Sequence, residues 1–172
     1  MRILYYNNCW FTNVGEAFID IGAMEMLRQA VPGVQIANIS NMSSYYVNNI
    51  QQKETFHPIR YIMQRLGNMP EHSIYSAARD FDADVVVVAG MIATKGFLAA
   101  GSCKMIHQLA KKGIGVVLIG VGGSEYSENE NADFRKFLHD VNVSGMISRD
   151  PRTFETYQNE IPLCFPGIDC AF

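Results

Sequence analysis

Asp84-Val85-Val86-Val87-Val88-Ala89-Gly90 decides the architecture. Four consecutive valines leave no polar face, so the strand they form must be covered on both sides. Gly115-Val116-Val117-Leu118-Ile119-Gly120 repeats that buried-strand pattern downstream. Between the two, Leu98 to Lys112 reads as one helix with a basic end, and Gly113 as its stop. Upstream, Arg2-Ile3-Leu4-Tyr5-Tyr6 reads as a first strand, because a short apolar and aromatic run favours a pleated, buried backbone. A polar loop, Asn7 to Gly15, then leads into a helix that Pro32-Gly33 ends. Asn13 can cap this helix, with Glu16 three residues on to complete the cap. Phe18, Ile19, Gly22, Met26 and Leu27 fall near one face, which the spacing predicts to be the buried one.

The rest of the chain keeps the same alternation. Val34 to Ile39 reads as a second strand. Ser40 to Pro58 is a long polar and aromatic connection, either a lid or a surface excursion. Ile59 to Leu66 and Ser73 to Phe81 read as helices separated by Gly67-Asn68-Met69-Pro70. After Gly120, a turn precedes a helix over Asn131 to Val141, a short strand over Gly145 to Ser148, a helix over Pro151 to Glu160 and a last strand at Leu163-Cys164-Phe165. Right-handed crossovers turn this order into an α/β fold: an open, Rossmann-like parallel sheet with helices on both faces. Ligands bind such sheets beyond the carboxyl ends of the strands. The loops to weigh are therefore Asn7–Gly15, Gly90–Gly96, Gly120–Glu125 and Arg149–Thr153.

At 172 residues, 48% hydrophobic and 18% charged, the chain suits one globular domain with a substantial core. A net charge of −3 without a Lys/Arg stripe argues against nucleic acid as a partner. No apolar run reaches the length of a membrane span, and the chain opens on a strand pattern rather than a signal peptide. The four cysteines, Cys9, Cys103, Cys164 and Cys170, form no CxxC pair, so they read as reduced thiols of a cytoplasmic protein.

Gly120-Val121-Gly122-Gly123 follows a strand as a dinucleotide fingerprint would. The third glycine of that fingerprint falls at Glu125, whose carboxylate would repel a pyrophosphate, so no NAD or FAD cofactor is expected. Gly122 and Gly123 then serve either as a tight turn or as bare backbone approaching a ligand, and Gly90 stands at the corresponding place one strand earlier. Asn13-Val14-Gly15-Glu16 is either a helix start alone or a helix start that also contacts a ligand. Asp150 before Pro151 fits a helix cap with proline in the first position. Arg149 suits a phosphate or carboxylate in the crevice, or else an ion pair with Asp150 or Asp169. The four histidines share no spacing. The nine methionines read as core filler, and Cys9 has no base beside it.

In order along the chain, Asn13-Val14-Gly15-Glu16, Asp84 to Gly90, Gly115 to Gly123, Ser148-Arg149-Asp150-Pro151-Arg152-Thr153 and Gly167-Ile168-Asp169-Cys170-Ala171-Phe172 resemble the N-terminal half of the polysaccharide pyruvyl transferase family. The resemblance implies one domain of a B-type glycosyltransferase fold and a role in exopolysaccharide biosynthesis. It also implies transfer of pyruvate from phosphoenolpyruvate to a sugar, free or nucleotide- or lipid-linked, as a ketal. Arg149 would hold phosphate or carboxylate, Glu16 or Asp150 would act on the sugar, and Asn13, Gly15, Gly90, Gly122 and Gly123 would line the substrate. The family usually has Asp where this chain has Glu16, and a glycine pair where it has Gly90-Met91. Its second half carries an Arg-Leu-His motif that this sequence lacks. The expectation is half a cleft, completed by a partner domain or a homo-oligomer; the alternative is a non-catalytic sugar-, nucleotide-sugar- or partner-binding module.

Overall fold

The computed structural model describes residues 1–7, 14–40 and 81–171. The readings of Asn13 as a cap, of Cys9, of the connection after Ser40 and of the helices before Phe81 lie outside those residues. Six parallel strands form one sheet: β1 (Arg2–Asn7), β2 (Gln35–Ser40), β3 (Val85–Ala89), β4 (Gly115–Val121), β5 (Val143–Ser148) and β6 (Cys164–Pro166). Their order is β2-β1-β3-β4-β5-β6. The chain steps outward from β1 to β2 and thereafter builds in the opposite direction. The order reverses between β1 and β3, which is where an open α/β sheet splays its loops into a ligand crevice.

Helices cover both faces, as the valine run requires. Helix α1 (Val14–Ala30) lies on one face, where Ala23 packs with Ile3, Tyr5, Val87, Ala89 and Ile119. The opposite face carries α2 (Lys95–Ala99), α3 (Gly101–Lys111), α4 (Glu128–Asp140) and α5 (Pro151–Tyr157). There Leu4, Tyr6, Val86, Val88, Val116 and Leu118 meet Phe97, Ile106, Leu109, Phe134, Phe137 and Tyr157 in the larger core. Adjacent valines thus serve different cores, and Val86, Val87 and Val88 are all buried. Phe134 stacks on Phe137 at 5.7 Å and meets Tyr157 edge-on at 5.0 Å, geometries that favour aromatic pairs beyond their buried area.

Two departures from the sequence reading change how the helices cover the sheet. The helix expected over Leu98 to Lys112 is two helices, because Ala100 adopts an extended conformation (φ −75°, ψ 155°) and Thr94 caps the first through the Phe97 amide. The face expected to be buried on α1 is only partly the one that faces the sheet: Ile19 and Leu27 pack against the core and Gly22 against Cys170, but Phe18 and Met26 are 57% and 44% exposed, and Asp20 and Ala23 are buried. This helix is apolar on more than one side, so periodicity cannot choose. Contacts choose instead: the Tyr5 hydroxyl donates to Asp20 Oδ1 at 2.8 Å and pulls that side inward. Gly22 faces the segment after β6, where a methyl group would overlap the Cys170 carbonyl oxygen.

The β4–β5 pairing slips between Leu118 and Val121, where β4 carries one more residue than β5. Gly120 (φ +60°) supplies the left-handed backbone that such a bulge needs. The extra residue returns Val121 to the larger core alongside Leu118 and turns the Gly120 backbone toward Cys170.

Candidate functional site

Arg149 leaves the carboxyl end of β5 with its amide bonded to the Val121 carbonyl at 2.9 Å. Its side chain runs back over Gly122, where a Cβ would lie 2.6 Å from Nε, so only glycine leaves room for the guanidinium. Nη1 pairs with Asp169 Oδ2 at 2.8 Å, both side chains being about one-quarter exposed (24% and 25%). Of the two partners foreseen for Arg149, Asp169 is the one that holds it. Among the described residues, Nε and Nη2 make no hydrogen bond, so two nitrogens of a planar, permanently charged fork remain for an anion.

Asp169 also accepts the Ala171 amide through Oδ1 at 3.0 Å, which turns the chain after β6 back across the sheet. Cys170 is buried in that turn, its Sγ 3.0 Å from where a Cβ on Gly120 would be. Burial pushes its thiol up, with Asp169 and Asp20 adding to the rise and Arg149 opposing it, so Cys170 is a packing residue rather than a nucleophile.

On the other side of Gly122 the loop after β4 is tied down by carboxylates. Asp150 caps α5: it accepts the Thr153 amide at 2.8 Å and the Thr153 hydroxyl at 2.7 Å, and also the Tyr126 hydroxyl at 3.1 Å. Burial would raise this carboxyl, but those donors and the nearby Arg149 hold it below the usual range. Both oxygens are engaged, so Asp150 shapes the site more than it offers a free base. Asp150→Ala is expected to cost about 2 kcal/mol in urea unfolding, since it loses a cap and a tether together, whereas Asp150→Asn, which keeps a capping oxygen, should lose less than half of that.

Tyr126 has a left-handed backbone (φ 54°), uncommon for an aromatic residue. The Gly123 amide donates to its hydroxyl at 3.1 Å, and the Arg152 guanidinium sits 4.3 Å from its ring centre. Gly123 is thereby closed off: a Cβ there would meet the Tyr126 ring at 2.8 Å. Beneath the loop lies Glu130, 1% exposed, which accepts the Glu125 and Tyr126 amides at 3.0 and 2.7 Å, the Ser124 hydroxyl at 3.0 Å and the Lys95 amide at 3.3 Å. Burial alone would raise its carboxyl; these donors outweigh burial and hold it low.

Gly90 (φ +100°) follows β3 and has open space where a side chain would be. Glu16, half-exposed in the first turn of α1, and the exposed Gly15 stand at the sheet's carboxyl edge. The structure therefore brings Arg149, Gly122 and Asp169 together, sets Gly123 and Asp150 behind Tyr126, and leaves Gly90, Gly15 and Glu16 on the β1 and β3 side. His107 and His139 play no part here: the first packs edge-on against Phe137, and the second pairs with Glu160 at 3.0 Å. A cavity of about 450 Å³ lined by Asp82, Asp84, Leu109, Lys112 and Ile114 opens at the amino ends of the strands, away from the crevice.

Compared with models of known protein families and with curated proteins, the chain matches none. The site has to be read from its own chemistry. Among the described residues, no group of three His, Cys, Asp or Glu side chains is arranged to hold a metal ion. No described helix is long and apolar enough to cross a membrane. Tyr126, Glu130 and Asp20 were not singled out by sequence, although Ser127-Glu128-Asn129-Glu130 has the spacing of a capping box. Ser127 does cap α4, accepting the Glu130 amide at 3.3 Å. The glutamate, however, reaches past the cap to the loop.

Proposed function

We propose that the chain is the anion- and sugar-binding half of a pyruvyl transferase, which moves pyruvate from phosphoenolpyruvate onto two hydroxyls of a sugar as a ketal. Arg149 carries this reading: a guanidinium at the carboxyl edge of the sheet, lying on bare glycine backbone, with two nitrogens uncommitted among the described residues. Phosphoenolpyruvate presents a carboxylate and a phosphate, and either matches that planar fork. In the reaction the enol carbon gains a proton, the sugar hydroxyls add to the resulting cationic carbon while surrendering their protons, and phosphate departs with its bridging oxygen. In this reading Glu16, in the first turn of α1, is the carboxylate that acts on the sugar, and Asp150 holds the loop that Gly122 and Gly123 belong to.

The acceptor is a sugar, free or nucleotide- or lipid-linked, in the cytoplasmic assembly of an exopolysaccharide. The remaining cleft wall comes from a partner domain or a second chain. Val14, Met91 and Ile168, at 65%, 47% and 68% exposure, support this, because they place apolar surface beside the carboxyl ends of the strands. A second reading, a non-catalytic module for a sugar, a nucleotide sugar or a partner, is favoured by Asp169, which already occupies one edge of Arg149.

Thermal-shift titration separates the two readings. A ligand at ten times its Kd stabilises by about 1.4 kcal/mol, a rise in Tm of about 4 °C for a chain of this size. The transferase reading expects that rise with millimolar phosphoenolpyruvate in the wild type and none in Arg149→Ala. A rise with a nucleotide sugar alone, unchanged in Arg149→Ala, favours the binding module.

A further inference from the structure

The proposed reaction leaves one buried acid without a role. Asp20 is 6% exposed, and its Oδ1 accepts the Tyr5 hydroxyl. Its Oδ2 is buried with no hydrogen-bond partner. A buried carboxylate oxygen with no donor is tolerated as part of a neutral acid and strongly disfavoured as an anion. What lies over this stretch of α1 is the turn after β6, with Cys170 backbone on Gly22 and Cys170 sulfur on Gly120. The polar contacts of this turn with the rest of the protein, among the described residues, are the Gly167 amide on the Ser148 carbonyl at 2.8 Å and the Asp169–Arg149 pair.

We propose that Gly167–Ala171 is a pH-sensitive strap, seated across α1 and β4 while Asp20 is a neutral acid and lifting when Asp20 loses its proton.

Among the described residues, the ionisable groups around Asp20 are Tyr5 from β1, Glu16 from its own helix and Cys170 from the strap, with Asp169 and Arg149 next beyond the thiol. Tyr5 stabilises the anion through its hydrogen bond, Glu16 opposes it, and Arg149 lies beyond the thiol, paired to Asp169. No cation among these groups touches Asp20, so water must answer the charge, and what lies over this stretch of α1 is the strap, through Cys170. Its Ile168 is 68% exposed and makes little contact. Lifting takes Asp169 away with the strap and leaves the whole Arg149 fork to an anion.

Burial, opposed by Tyr5 and reinforced by Glu16, raises the Asp20 carboxyl from 3.8 to about 6. A raised carboxyl favours the closed form fully below its ordinary value, and the advantage is lost as pH rises through about 6. The ratio of open to closed strap should then grow about 100-fold between pH 4 and pH 8.

Cys170 reports the lifting, and Cys103, buried in the opposite core, reports global unfolding. Each can be followed in the full chain by labelling with methyl methanethiosulfonate and mass mapping. Dividing the wild-type Cys170 rate by that of Asp20→Asn cancels the intrinsic pH dependence of thiol chemistry. The strap predicts a quotient that climbs about 100-fold toward pH 8 while Cys103 stays protected. A quotient that stays flat overturns it, and so does a rise shared by Cys103. Should Asp20→Asn expose Cys103 and so prove misfolded, the wild-type ratio of Cys170 to Cys103 labelling takes its place, with a climb toward pH 8 supporting the strap and a flat ratio overturning it. The test uses neither phosphoenolpyruvate nor a sugar, so its outcome is independent of the transferase reading.

Discussion

Glu130→Ala should lower stability by about 4 kcal/mol, a fall in Tm of about 10 °C for a chain of this length. One carboxylate answers three backbone amides and a hydroxyl in a region that water reaches poorly. Deleting it leaves those donors unpaired, and each stranded donor costs about 1–3 kcal/mol, less where the loosened loop admits water. Glu130→Gln keeps one accepting oxygen but turns an NH2 group toward backbone N–H groups, so about half the loss should remain. Because this carboxyl is held below its ordinary range, its contribution is full at neutral pH and disappears as the solution is acidified through and below that range. Urea unfolding of both variants at pH 7 and near pH 4 checks the size and the sign. A loss under 1 kcal/mol for the alanine variant at pH 7 would show that water or another side chain serves the loop as well as Glu130 does.

Gly22→Ala should destabilise even though alanine is the better helix former. In a free helix interior the exchange gains about 0.5–1 kcal/mol. Here the added methyl meets the carbonyl oxygen of Cys170, which is backbone and has no rotamer to yield. Overpacking of this kind costs about 1–3 kcal/mol, so the net change is a loss. The damage should be local: the strap leaves its seat and Cys170 labels readily at every pH, while Cys103 remains protected in the other core. Ile21→Ala serves as the control, because Ile21 is 61% exposed one residue away and its truncation should shift stability by less than about 0.5 kcal/mol. A Gly22→Ala variant with raised Tm and an inaccessible Cys170 would mean that the strap does not pack on α1.

The valine run shows how far the fold was legible. A strand without a polar face can only be interior to a sheet covered on both sides, and Val86, Val87 and Val88 are so placed. Proline and glycine punctuation also read directly, because φ at Gly33 (+76°) and Gly113 (+83°) suits glycine at the end of a helix. Capping was partly legible. Asp150-Pro151 marks the start of α5, whereas apolar spacing starts α4 at Asn131 and the structure starts it at Glu128, behind the Ser127 cap.

The face of α1 was legible only in part: Ile19 and Leu27 do pack inward, but Phe18 and Met26 do not. Phe18, Ile21 and Met26 are as apolar as Ile19 and Leu27, and hydrophobic spacing ranks sides only when one of them is polar. What turned the helix was a hydrogen bond from Tyr5 and a glycine contact with a segment far along the chain. The candidate site divides in the same way. Arg149, Gly122 and Asp169 could be named from sequence, yet nothing in sequence ordered Asp169 over Asp150 as the partner of Arg149.

Sequence alone determined the fold class, because strand and helix order, turn residues and burial on both faces are local or periodic properties of the chain. Only the tertiary structure decided which charges meet, which carboxylates are spent on backbone amides and which acid is left buried with an idle oxygen. Those outcomes depend on contacts between residues far apart in the chain, and such distances are set by packing rather than by spacing.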